Sequence, residues 1–146
     1  MTQGSRHLAR QAAVQALYQW QLTEQAPEDI EDHFILDHEM SQVDMEYFDL
    51  LVRQVPLHVH ELDDYLIPYL DREIDEVDPV ERAILRIGVY EFEFHLEVPY
   101  KVIINEAVEL AKTFGAEHGH KFVNGVLDKV AARLRAAEIK SAPSTA

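Results

Sequence analysis

The stretch that most constrains this chain is Asp78-Pro79-Val80-Glu81 and the helix it starts. Asp78 stands at an N-cap position, Pro79 at the first helical position, where a missing N–H costs nothing, and Glu81 at the third. From there to about Phe94, Val80, Ala83, Ile84 and Ile87 line one apolar side, and Leu85, Val89 and Phe92 line another. Only a strip with Arg82, Arg86 and Glu93 is consistently polar. A helix apolar nearly all round has to be packed on two sides. The chain shows no strand-like alternation of useful length, so its partners are helices. The pattern predicts an all-α fold of about six or seven helices, in two helical layers or sub-bundles that share this central element.

The flanking segments read as helices on the same grounds. Residues 1–4 are expected to be loose, and Ser5 is a plausible N-cap for a helix running to about Thr23. Ala9, Ala13, Ala16, Leu17 and Trp20 form its apolar face, Arg6, His7 and Arg10 share one side, and Tyr18 and Leu22 lie away from the alanine stripe. Pro27, Glu28 and Asp29 begin a second helix. A third starts near Ser41 or Asp44, where Ser41 to Asp44 resembles a capping box. A seam from Phe48 to Leu66 continues at helical spacing, but Pro56 falls inside it and should break or kink it. A turn follows near Pro68. Residues 98–134 form a helical hairpin. Pro99 opens its first arm, Ile103, Ala107, Leu110 and Phe114 face inward, and Gly115 stands where a left-handed residue ends a helix. Val123, Val126, Leu127 and Val130 repeat the stripe in the second arm, with Lys121 opposite it and Phe122 on its flank. The expected domain is residues 1–140, with 141–146 as a disordered tail.

Composition excludes several function classes. There are no cysteines, so no disulfide framework and no thiol nucleophile, and a reducing, cytoplasmic setting is expected. No apolar run reaches the roughly 20 residues of a membrane span. The net charge of −14 argues at first against nucleic acid. Its distribution alters that: residues 21–97 hold 22 acids and 4 arginines, while both ends are mildly basic. Such asymmetry is a weak hint of nucleic-acid contact, and an acidic middle also simply keeps a protein soluble. No phosphate loop or dinucleotide fingerprint occurs, and Glu117-His118-Gly119-His120 is too incomplete for a metal site. No enzyme activity, cofactor or metal is expected.

The segments AVQALYQWQL (13–22), VERAILRIGVYE (80–91) and VPYKVIINEAVELAKTFGAEHGHKFVNGVLDK (98–129) resemble the NusB family of bacterial transcription antitermination factors. The resemblance runs from about Arg6 to Val130. It implies binding of boxA RNA in ribosomal RNA leader transcripts, as a heterodimer with NusE, a small-subunit ribosomal protein. It also implies loading onto RNA polymerase with other Nus factors. By resemblance, Arg6, His7, Arg10, Lys101, His118, Lys121 and Phe122 are the expected RNA-facing residues, and Tyr18, Leu22 and Glu81 the partner surface. The sequence departs from the family at His7 and Leu8, often basic, and at His118, where a relative may carry an acid. The competing expectation is an acidic, protein-binding helical adaptor with no direct RNA contact.

Overall fold

The computed structural model describes residues 3–115 and 118–141. These form α1 (Gln3–Thr23), α2 (Pro27–Asp37), α3 (Met45–Leu57), α4 (Val59–Leu66), α5 (Pro79–Phe94), α6 (Tyr100–Phe114), α7 (Gly119–Leu134) and α8 (Ala136–Ser141). Short 3-10 turns occupy Ile67–Tyr69 and Ile74–Glu76. No strand occurs among the described residues.

Helix α5 is the shared element. Every residue from Glu81 to Phe92 is buried, Arg82 and Arg86 of the polar strip included, while Glu93 is half-buried. Helices α1 and α3 pack against it, with α2 on them, while α4, α6 and α7 pack on its other faces. Phe48, Leu17 and Ile30 on the first side and Ile103, Leu110 and Leu127 on the second are almost fully withdrawn from water. Burying such a side chain contributes about 1.5–3 kcal/mol. Gly88 permits the close approach of α5 to α7, since a Cβ there would lie 2.9 Å from Leu127 Cδ1.

Arg82 and Arg86 are buried because each has found partners. Arg86 donates to both carboxylate oxygens of Asp63, at 2.9 and 2.8 Å, and to Gln21 at 2.9 Å. Arg82 donates to the carbonyls of Ile74 and Asp75, which ties down the 3-10 segment leading into α5.

Helix ends follow local chemistry, with four departures from the sequence reading. Asp78 accepts the N–H groups of Val80 and Glu81, and Pro56 is followed by a break at His58 between α3 and α4. Helix α1, however, begins at Gln3, so Gln3 and Gly4 are helical and Ser5 lies within the first turn instead of capping it. The cap of α3 is Asp44, whose side chain accepts Tyr47 N–H at 3.1 Å, and Ser41 plays no part in it. Gly115 is extended, with φ −88° and ψ 178°, instead of left-handed. Its lack of a side chain matters sterically: a Cβ would come 2.7 Å from the Ala111 carbonyl oxygen. The left-handed residue is Glu24, at φ 58°, just past α1. Of the expected tail, Ser141 ends α8 and residues 142–146 lie outside the described residues.

At the far end of α5, Arg135 closes the structure. Its buried guanidinium donates to the carbonyls of Phe92 (2.8 Å), Val98 (3.0 Å), Glu91 (3.2 Å) and His95 (3.0 Å), and it pairs with Glu138. The last carbonyls of a helix have no partner of their own, and here one side chain supplies donors for them. The contact also places the end of α7 beside the start of α6, so the two arms run antiparallel.

Candidate nucleic-acid and partner interface

The first half of α1 carries the three basic residues expected to meet RNA, and the structure separates them. Arg10 is 2 % exposed. Its Nε and Nη2 donate to the two oxygens of Glu91 at 2.8 and 2.7 Å, and Tyr47 Oη donates to the same carboxylate at 2.6 Å. Burial disfavours the Arg10 charge, but hydrogen bonding and attraction to Glu91 outweigh it and hold the guanidinium above its usual value. Burial, then the Glu91 charge, push the Tyr47 phenol up in turn. Arg10 is therefore a cross-link between α1, α3 and α5, not a phosphate contact, because its donors face inward. His7 is half-buried and its ring meets the Glu106 carboxylate of α6. Arg6 is also half-buried, with Cζ 4.2 Å from the Tyr47 ring centroid. It lines an open, charged cleft of about 580 Å³ together with Asp44, Asp49, Arg53 and His95. On its other side it borders a small pocket with Pro99 and Val102, next to the exposed Lys101.

The second half of α1 faces a different surface. Tyr18 and Leu22 are 38 % and 54 % exposed and line an open, mostly apolar groove of about 470 Å³ with Val14, Phe34, Val80 and Phe114. His38 borders it, its ring stacked on Phe34 at a centroid distance of 3.8 Å. The next residue after Val80 is Glu81, which is 5 % exposed. A Cβ on Gly119 would lie 2.4 Å from Glu81 Oε2, so the carboxylate rests on the first residue of α7. A helix N-terminus suits an anion there. Glu81, expected on the partner surface, is thus almost covered in this structure, with its carboxylate against the first residue of α7.

From that start, His118 and Lys121 project into solvent and Phe122 is half-buried. The sequence reading missed Arg72. Its Cζ lies 4.7 Å from the Phe122 ring centroid, although 50 positions of sequence separate them. The Ile67–Tyr69 turn packs against α7, and that tertiary contact brings the two segments together.

The expected RNA residues thus fall into two groups. Arg6, His7 and Lys101 stand near the beginning of α6; His118, Lys121 and Phe122 stand beyond its end. A helix rises 1.5 Å per residue, so Lys101 and Phe114 are about 20 Å apart along α6, the length of about six stacked nucleotides. Among the described residues, no group of three or more metal-ligating side chains gathers, and no helix is long and apolar enough to cross a membrane.

A family model described as the NusB family matches residues 7–132. The chain belongs to the NusB family. It is 56 % identical over 126 residues to transcription antitermination protein NusB of Pasteurella multocida, covering 86 % of this chain and 88 % of that one. It is 55 % identical over 136 residues to the NusB protein of Nitrosococcus oceani, covering 93 % and 91 %. Among solved structures it is similar to Thermotoga maritima NusB, with a TM-score of 0.73, 30 % identity, and coverage of 86 % and 89 %. It is likewise similar to a chain from a complex of the antitermination factors NusB and NusE with double-stranded RNA, with a TM-score of 0.74, 29 % identity, and coverage of 89 % and 97 %. Among the described residues, this chain builds that fold from helices alone.

Proposed function

We propose that the chain is a transcription antitermination factor that binds boxA RNA together with NusE and joins RNA polymerase with other Nus factors. The observation that carries the reading is the start of α7. There, exposed Lys121 and His118 and a half-buried aromatic, Phe122, lie next to a groove walled by Tyr18 and Leu22. Lysine meets phosphate as a point charge, and an aromatic face takes an unpaired base, worth about 1–3 kcal/mol by typical substitution. The adjacent groove offers apolar area to a protein partner, and the acidic middle of the chain attracts a basic one. A solved complex of NusB and NusE with double-stranded RNA, to which this chain is similar, supports a protein that meets NusE and RNA together. The chemistry is binding alone, with no reaction assigned to any residue.

Lys121 and Phe122 are the principal RNA contacts in this reading, His118 stands beside them, and Arg6 and Lys101 extend the track toward the other end of α6. Fluorescence anisotropy with a boxA-like oligoribonucleotide, with and without NusE, tests it. Phe122→Ala and Lys121→Ala should each weaken RNA binding while helical content stays unchanged; unaltered affinity in both would remove RNA from this surface and leave a protein-binding adaptor. Tyr18→Asp should abolish NusE binding, measured by gel filtration, with the monomer still folded because the side chain is already in water.

A further inference from the structure

Arg72 is presented to Phe122 by a firmly held segment. The carbonyls of Ile74 and Asp75 are bound by Arg82, and Val77 is buried, so the loop between α4 and α5 has a fixed course past the start of α7. On that loop the Arg72 guanidinium lies over the Phe122 ring, while its Nε and Nη2 donate to the two carboxylate oxygens of Asp71 at 2.6 and 3.0 Å. The pair links adjacent residues, so it ties no two elements together, and with side chains 39 % and 68 % exposed it adds little to stability. Two parallel N–H donors on a carboxylate are also the arrangement in which arginine takes a phosphate. Glu76 and Glu81 lie near enough to strengthen the Arg72 charge further. For a polyanion approaching Phe122, Arg72 offsets the nearby carboxylates of Asp71, Glu76 and Glu81.

We propose that Asp71 and Arg72 form an exchangeable lid on Phe122: Arg72 stays stacked on the ring as part of the base platform, and on RNA binding its two donors pass from the Asp71 carboxylate to a phosphate. Asp71 is then an internal stand-in for the RNA backbone that holds the guanidinium in a phosphate-ready orientation and competes for it. The inference rests on the assignment of Phe122 to the RNA surface.

The test is anisotropy with a single-stranded boxA-like oligoribonucleotide over a potassium chloride series, with and without NusE. Arg72→Ala should weaken binding about 3- to 10-fold and lower the log–log salt slope by about 0.7, the loss of one phosphate contact. Asp71→Asn should tighten binding about 2- to 5-fold, and that gain should vanish in an Arg72→Ala background, because the two act as one unit. Unchanged or tighter binding by Arg72→Ala overturns the lid. So does an Asp71→Asn gain that survives without Arg72, which would mark simple repulsion. A loss seen only when NusE is present would assign Arg72 to the protein partner and overturn it as well. Phe122→Ala run in parallel separates the two levels: if it weakens RNA binding and Arg72→Ala does not, only the lid fails; if neither does, the RNA surface itself is misplaced and the lid falls with it.

Discussion

Two places in this molecule use the same three chemical parts to opposite ends. At Arg10, a guanidinium makes two parallel hydrogen bonds to Glu91 beside the ring of Tyr47. At Arg72, a guanidinium makes two parallel hydrogen bonds to Asp71 over the ring of Phe122. The Arg10–Glu91 side chains are 3 % and 2 % exposed, whereas those of Arg72–Asp71 are 39 % and 68 % exposed. Out of water, neither charge can be left alone, so the first trio welds three helices together. In water, either partner can be exchanged for solvent or for a ligand. Burial, more than residue type, decides whether an arginine here belongs to the scaffold or to the surface that recognises something.

The strongest way to break that contrast is to remove each arginine in turn. Arg10→Ala leaves Glu91 as an uncompensated buried charge and should cost about 3–5 kcal/mol of unfolding free energy. Tyr47→Phe removes only the hydroxyl bond to that carboxylate and should cost less, about 1.5–3 kcal/mol. Denaturant titration followed by circular dichroism measures both, and losses below about 1 kcal/mol at Arg10 would mean the buried pair is no weld.

An intermediate case sharpens the comparison. Arg53 meets both Glu31 and Asp49, at 3.0 and 2.6 Å, with Glu31 buried and Arg53 half-exposed. Burial, and then the neighbouring Asp49, push Glu31 from 4.5 up to about 7. Between those values the native chain holds a proton that the unfolded chain has released. Stability from this site is therefore present below about pH 4.5 and is lost as pH rises through 7. Burial and the Glu61 carboxylate raise Glu93 to about 7 as well, with the same sign. Glu31→Gln should flatten the decline between pH 5 and 7.5 by about 1 kcal/mol, read from urea midpoints at each pH. A slope identical to that of the parent would show that Glu31 does not titrate there. At the bottom of the scale, Arg72→Ala should leave the melting temperature unmoved, and a measurable drop would make the exposed trio structural after all.

How far these features can be read from sequence depends on the distance over which their causes act. Helices α2, α5 and α6 begin at Pro27, Pro79 and Pro99 or just after, and the break after Pro56 follows from a missing N–H and a clash within one turn. These are local causes and stand out in a linear reading. The two-sided helix α5 was equally legible, because a stripe of apolar residues on each face needs two partners. The residues that went astray depend on remote ones. Arg10 looks like a surface cation until Glu91, 81 residues on, is placed against it. Glu81 looks like an open acid until α7 returns to cover it. Arg72 sits in the most acidic part of the chain, where charge counting hides it, and only the tertiary course of its loop brings it to Phe122. At the backbone, Gly115 ends α6 in an extended conformation although its place suits a left-handed residue, while Glu24 is left-handed after α1 with no glycine to signal it.

Arg135 has a consequence for how the molecule is made. It serves carbonyls that lie between 37 and 44 residues earlier in the chain, at the end of α5 and in the loop beyond it. The carbonyls of Glu91 and His95 also take nearby backbone N–H groups, but those of Phe92 and Val98 take Arg135. A ribosome adds about 5–20 residues per second, so these two precede their donor by about 2–9 s. The C-terminal end of the helix that organises the whole fold thus receives its side-chain donor only once α7 has been made.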